Sequence, residues 1–224
     1  MTLLMYLGIP LIAWGITDTA GFFSNPSRSF YAVIVCILSS VVGIQAIHSA
    51  EGIRGGKGQR DTIVPRQRIV RNLVILLLYI ALIYLPFADR HQITPLSQHE
   101  ALRWVGVALF GVGIGFVYWS GVSLGRFYSA DVTLQHNHQL ITTGAYRHIR
   151  HPRYSGAILL AFGMSLTFNS WLGFVLSILF IGIILFRIKD EELLMRHVFG
   201  DAYREYEAHT GALLPKLMRK GDFT

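Results

Sequence analysis

The sequence predicts an all-α integral membrane protein. Three observations predict it: charge is scarce, long runs carry no charge at all, and the basic residues that remain fall on one side of those runs. Charged residues make up 15% of the 224 and apolar residues 52%, whereas ordinary soluble domains carry about 25% charge. Fourteen Phe, ten Tyr and four Trp supply amphipathic rings suited to a membrane interface. Cys36 is the single cysteine, so a disulfide-stapled secreted scaffold is excluded.

The elements follow in chain order. No Asp, Glu, Lys or Arg interrupts 1–17, 29–50, 72–88, 104–125 or 154–186. A spanning helix needs about 20 mostly apolar residues, so 3–23, 29–49, 72–88 and 104–124 are predicted as four transmembrane helices. The run 155–186 is too long for one span and too short for two full ones. Phe168-Asn169-Ser170-Trp171 in its middle predicts a tight turn between two shorter, tilted helices, a hairpin that dips in and returns to its own side. One long tilted helix is the alternative, but it would leave Asn169 and Ser170 at mid-bilayer. The total is five to six membrane segments.

Charge orients them. The segments 51–71 and 126–153 and the tail from Arg187 together hold seventeen of the twenty Lys and Arg. Only Arg28, Arg90 and Arg103 lie opposite. The positive-inside bias makes the rich side cytoplasmic, with both termini inside. The net charge of +7 suits anionic lipid at that rim, and no basic-aromatic interleaving points to nucleic acid. Asp18 and His48 sit near span ends, where water reaches them. Gly111 and Gly115, four apart, read as a helix-packing face.

The chemistry-bearing residues lie in the second half. Leu140-Ile-Thr-Thr-Gly-Ala-Tyr-Arg-His-Ile-Arg-His-Pro-Arg-Tyr154 precedes the hairpin and Arg187-Ile-Lys-Asp-Glu-Glu192 follows it. His148 and His151 are three apart, but no carboxylate or thiol accompanies them at ligand spacing, so no metal is expected. Pro152 marks the first turn of the hairpin's leading helix. Arg150 and His151 then stand at a helix N-terminus, which either holds an anionic group such as a ligand carboxylate or reaches lipid phosphates. Arg187 and Glu191, four apart, share a helix face as an ion pair or as a cation and an anion at a pocket mouth. The segment 196–210 reads as an amphipathic helix that caps the cytoplasmic face.

Together with Phe199-Gly-Asp-Ala-Tyr-Arg-Glu-Tyr206 and Leu214-Pro-Lys216, these motifs resemble the isoprenylcysteine carboxyl methyltransferase family, in the broad sense that includes relatives of the phospholipid methyltransferases. The resemblance covers roughly the last hundred residues. It implies an S-adenosylmethionine-dependent methyltransferase with a lipid or lipid-modified acceptor and no metal. His138, Leu140, Ile141, Gly144, Tyr146, Arg150, His151 and Tyr154 would line the cofactor pocket. Glu191 and Glu192 would meet the cofactor's ammonium group, and Arg187 and Glu191 would act in catalysis, Arg187 facing the acceptor. Ala145 departs from the proline frequent in the family. Residues 1–124 are expected as the N-terminal membrane helices and 125–224 as the cofactor-binding half of one integrated domain. Two other readings compete: an NADPH-dependent sterol or lipid reductase, expected to lack the paired glutamates, and a non-catalytic membrane scaffold.

Overall fold

The computed structural model describes residues 2–49, 65–124 and 140–216, without the side chains of 41–49 and 65–68. The basic connector between the second and third predicted helices, the side chain of His48, and His138 lie outside the described residues. Every long element is helical: α1 (Ile9–Trp14), α2 (Thr19–Phe23), α3 (Pro26–Ser49), α4 (Pro65–Arg90), α5 (Glu100–Leu124), α6 (Pro152–Thr167), α7 (Trp171–Phe199) and α8 (Asp201–His209). Among the described residues, 69–90, 100–124 and 171–199 are long and apolar enough to cross a membrane. Large apolar side chains such as Leu76, Ile83, Val112, Val122 and Leu179 point outward. That arrangement suits lipid and would be an aggregation-prone surface in water.

The first predicted helix, 3–23, is not continuous. A π-helical turn (Leu4–Gly8) leads into α1, which stops at Gly15 (φ 122°), and a 3₁₀ turn (Ile16–Asp18) precedes α2. Hydropathy counts length and misses a break that needs only one glycine in a conformation closed to other residues. Asp18 caps α2 by accepting from the Gly21 amide at 3.1 Å.

The broken segment leaves helix C-terminal carbonyls without intrahelical partners, and the three isolated arginines supply them. Arg90 donates to the Trp14 carbonyl at the end of α1. Arg28 donates to the Gly21 and Phe22 carbonyls of α2 at 3.0 and 2.8 Å. Arg103 donates to the Thr167 carbonyl that ends α6, at 2.8 Å. Asp89 accepts from both Arg28 and Arg103, and all three side chains are buried. The residues that break the one-sided charge pattern are therefore internal caps. Beside them Trp14, Phe22, Tyr31, Phe110 and Phe168 form an aromatic core, with Tyr31 4.7 Å from Phe110 and 5.3 Å from Phe168.

The hairpin is real, and its turn lies where the sequence placed it. Asn169 adopts φ 48° between α6 and α7, and its side chain bonds both the amide and the carbonyl of Ser97 at 3.0 and 2.9 Å. The Trp171 amide donates to the Thr94 carbonyl. The turn thus meets the α4–α5 connection, so the hairpin reaches the opposite end of the bundle and does not stop part-way. That connection satisfies the Asn169 side chain, and Ser170 caps α7 by accepting from the Gly173 amide at 3.2 Å.

Helices α5 and α6 pack backbone to backbone. A Cβ on Gly113 would lie 2.8 Å from the Gly156 carbonyl oxygen, and one on Gly163 would lie 2.5 Å from the Phe110 nitrogen. A Cβ on Gly106 would meet the Thr167 nitrogen at 2.4 Å. The close face therefore runs through Gly106 and Gly113, with Gly156 and Gly163 opposite. Gly111 and Gly115 do not form it: a Cβ on Gly115 would meet nothing within 4 Å.

Candidate functional site

The long α6–α5 contact fixes the N-terminus of α6, and α7 brings its charged last third alongside. At 29 residues, α7 is about 43 Å long, more than the hydrocarbon thickness of about 30 Å. Its apolar part ends at Phe186 and its charged part starts at Arg187.

His151 is the N-cap residue of α6 with Pro152 in the first turn, as the His-Pro step predicts. Its ring lies between the two adjacent glutamates: Nδ1 is 3.6 Å from Glu191 Oε2 and Nε2 is 3.3 Å from Glu192 Oε1. It also stacks on Tyr154 at 5.6 Å and 20°. Arg187 donates through Nε to the Tyr154 hydroxyl at 2.6 Å and to Glu191 Oε1 at 3.1 Å. Tyr154 in turn donates to that same Glu191 oxygen. The i,i+4 pair expected of Arg187 and Glu191 forms, and it forms inside a larger cluster rather than on a solvated face: Arg187 is 8% exposed.

Arg150 turns the other way. Its Nε and Nη2 both lie 2.9 Å from Glu192 Oε1, and Nη1 donates to the Thr210 carbonyl. The amides of Arg150 and His151 donate to the carbonyls of Gly211 and Ala212 at 2.8 and 3.0 Å. Ser155 Oγ donates to the Leu213 carbonyl at 2.6 Å. The donors at this helix start that the sequence offers to an anion are thus taken by a C-terminal strap, 210–213.

Gly144 and Tyr146 lie in a turn packed against α5, and the half-buried Leu140 and Ile141 precede it in the chain. Gly144 (φ 61°) opens a 3₁₀ turn, and a Cβ there would lie 2.3 Å from Ser123 Oγ. The Ala145 amide donates to the same Ser123 oxygen at 3.0 Å, a bond that a proline at 145 could not make. Tyr206 on α8 donates to the Tyr146 carbonyl at 2.6 Å. Burial pushes the Tyr206 hydroxyl up to about 12, so at neutral pH it stays a donor. Burial likewise pushes the Tyr203 hydroxyl up.

Sequence reasoning missed Arg196, Glu207 and the strap. The amphipathic helix expected over 196–210 begins at Asp201, because α7 continues to Phe199 and the chain turns at Gly200 (φ 53°). That turn folds α8 back so that Glu207 meets Arg196 at 2.5 and 3.0 Å. The Phe199-Gly200-Asp201 step carried the signal, a glycine stop followed by an acidic helix start.

Below the cluster, an apolar cleft of about 160 Å³ runs between α4, α6 and α7, lined by Leu78, Ala157, Leu160, Ala161, Met164 and Phe180 among others. Ala157 is one helical turn from Tyr154, and Phe180 two turns from Arg187. Among the described residues no group of three or more His, Cys, Asp or Glu is placed to hold a metal ion.

Among the described residues, three helices long and apolar enough to cross a membrane, with a polar cluster at the rim, define the class as an integral membrane protein. A phospholipid methyltransferase family model matches residues 101–202. A probable protein-S-isoprenylcysteine O-methyltransferase of Oryza sativa subsp. indica is 31% identical over 121 residues, 52% of this chain and 63% of the relative. The match thus spans under two thirds of that relative's length. The protein-S-isoprenylcysteine O-methyltransferase of Schizosaccharomyces pombe is 32% identical over 42% of this chain and 41% of its own. The B form of Arabidopsis thaliana is 23% identical over 86% of this chain and 94% of its own. Among solved structures, the eukaryotic intramembrane Ras methyltransferase, an isoprenylcysteine carboxyl methyltransferase, shares the fold with a TM-score of 0.57 at 19% identity, covering 96% of this chain and 74% of that one. The chain is thus similar over 101–202 to the phospholipid methyltransferase family, and over about half its length to protein-S-isoprenylcysteine O-methyltransferases.

Proposed function

We propose that this protein is an S-adenosylmethionine-dependent methyltransferase that acts at the cytoplasmic membrane face on a lipidic acceptor, an isoprenylcysteine-type carboxylate being favoured. The observation that carries the reading is the cluster of His151, Tyr154, Arg187 and Glu191 on the same two helices, α6 and α7, that line an apolar cleft beginning at Ala157, one turn from Tyr154.

The donor set fits the cofactor. S-Adenosylmethionine supplies an electrophilic methyl group on a sulfonium, together with an ammonium, a carboxylate and an adenine. Among the described residues Glu191 Oε2 lies 3.6 Å from the His151 ring, and it offers an anion to the ammonium. Tyr154 and Tyr146 offer aromatic wall, and Leu140, Ile141 and Gly144 a close backbone approach. His138 belongs to the same proposed pocket by its motif.

An ionised carboxylate acceptor carries no proton to be removed. The residues then have positioning and desolvation to perform, not base catalysis. Arg187, held on its Nε side by Tyr154 and Glu191, orients the acceptor oxygen. The cleft takes the apolar tail, so that head and tail are anchored at once. The rice and fission yeast relatives are named for an isoprenylcysteine substrate, which supports an acceptor with both parts.

Calorimetric titration of the detergent-purified protein with S-adenosylhomocysteine and with NADPH tests this reading. Binding of the first and not the second is expected. Binding of NADPH alone would overturn it in favour of a reductase, and binding of neither in favour of a scaffold. Mass spectrometry of methylated lipids and proteins in cells with and without the chain identifies the acceptor.

A further inference from the structure

We propose that Glu192 is a positioning residue: it is the centre of a latch that holds the C-terminal strap against the N-terminus of α6, and it does not itself contact the methyl donor. The inference goes beyond the proposed function and rests on it only for the identity of the pocket that the latch borders.

The two adjacent glutamates have different surroundings. Among the described residues Glu191 turns Oε2 toward the His151 ring at 3.6 Å and Oε1 toward Tyr154 and Arg187. Glu192 has partners on both oxygens, with Arg150 and His151 on Oε1 and Arg196 on Oε2 at 3.5 Å. Its side chain is 11% exposed. A carboxylate already matched by two guanidinium groups has little left to offer a ligand ammonium, and withdrawing it would leave the part-buried Arg150 guanidinium with only Glu207 at 3.7 Å among the acidic groups of the described residues.

Those cations lead to the strap. Arg196 continues to Glu207 on α8 at 2.5 Å, and Arg150 reaches Glu207 Oε1 at 3.7 Å and the Thr210 carbonyl. Two arginines and two glutamates therefore close a charge-balanced ring that joins the start of α6, the end of α7, α8 and residue 210. The strap that follows bonds the Arg150 and His151 amides and Ser155. Glu192 thus fixes His151 twice: directly through Nε2, and through the strap that pins its backbone. Tyr206 extends the same attachment to the Tyr146 turn.

The test compares E192Q, E207Q and the double variant in the full-length protein in detergent. Amide hydrogen exchange is read over 147–155, and S-adenosylhomocysteine affinity by calorimetry. Glu207 is on α8 and lies outside the proposed donor contacts, so E207Q isolates the latch. Both single variants are expected to exchange the Arg150 and His151 amides at least about tenfold faster, the change that losing one charged hydrogen bond corresponds to. The double variant is expected to be less than additive, because both changes open one latch. Wild-type exchange in E192Q overturns the proposal. So does weakened S-adenosylhomocysteine binding in E192Q while E207Q keeps wild-type exchange and affinity. If the wild type binds no S-adenosylhomocysteine, the methyl-donor reading fails, and the exchange data still decide the latch.

Discussion

Arg103 and Asp89 form a buried two-point ion pair, with Nη2–Oδ1 at 2.6 Å and Nη1–Oδ2 at 3.0 Å. Asp89 also holds Arg28, and between them the arginines cap two helix ends. Removing that carboxylate would take from the buried Arg28 its ion-pair partner and leave the buried Arg103 with only the exposed Glu100 at 3.4 Å among the acidic groups of the described residues. Asp89→Asn is therefore expected to cost about 3–5 kcal/mol, the range for breaking a buried pair from one side. Thermal unfolding in detergent measures it, and a shift near zero would show that the pair carries no such load.

The α5–α6 contact predicts opposite outcomes for two glycines that look alike in sequence. A Cβ at Gly163 would press on the Phe110 backbone at 2.5 Å, which cannot give way as a side-chain tip could. Gly163→Ala should destabilise by about 1–3 kcal/mol, as overpacking does. Gly115→Ala meets open space and should be neutral or stabilising by up to about 1 kcal/mol through helix propensity. Unfolding midpoints of the two variants in one detergent decide the matter.

Within the cluster, roles separate by which kinetic constant moves. Glu191→Gln should weaken S-adenosylhomocysteine binding by about tenfold to a hundredfold, the loss of one charged hydrogen bond. Arg187→Ala should leave that affinity nearer to wild type and lower turnover instead. Equal donor affinity in wild type and Glu191→Gln would remove the ammonium role from Glu191.

The α7–α8 attachment should respond to acid. The hydrogen bond from Arg196 holds the Glu207 carboxyl below its ordinary value of 4.5. A folded-state pKa below the unfolded one contributes stability that is present above the unfolded value and is lost as pH falls through the folded one. Exchange of the α8 amides should therefore be pH-independent near neutrality, after correction for intrinsic rates, and accelerate as the pH drops below about 4.5. Glu207→Gln should remove that acceleration.

Much of this was legible in residues that interrupt a pattern. Asn169-Ser170 marked the hairpin turn because polar side chains in an apolar run need partners, and Pro152 marked the start of α6. The break at Gly15 was hidden because apolar residues flank it on both sides. The packing face of α5 was misplaced for a different reason. Gly111 and Gly115 show an obvious spacing, but the face in contact is chosen by Gly156 and Gly163, 43 and 50 residues after Gly113. The site divided in the same way. The Arg187–Glu191 pair follows from helical spacing, whereas the seat of His151 between Glu191 and Glu192 spans forty residues and depends on how α6 meets α7.

The cleft beneath the cluster makes the last prediction. Ala157 and Ala161 line it on one face of α6, one and two turns beyond Tyr154. Bulk added there fills space that an acceptor's tail would occupy, without touching Glu191 or Arg187. Ala161→Phe should raise KM for a long-chain acceptor by about tenfold to two-hundredfold, since excluding even a methylene or two from an apolar pocket corresponds to about 1–3 kcal/mol. Affinity for S-adenosylhomocysteine should stay at the wild-type value, because none of the residues proposed to hold the donor lines this cleft. A shorter-tailed acceptor should be affected less, and the ratio of the two KM values reads how far the tail descends. If Ala161→Phe left long- and short-chain acceptors unchanged, the tail would have to lie elsewhere along the helices.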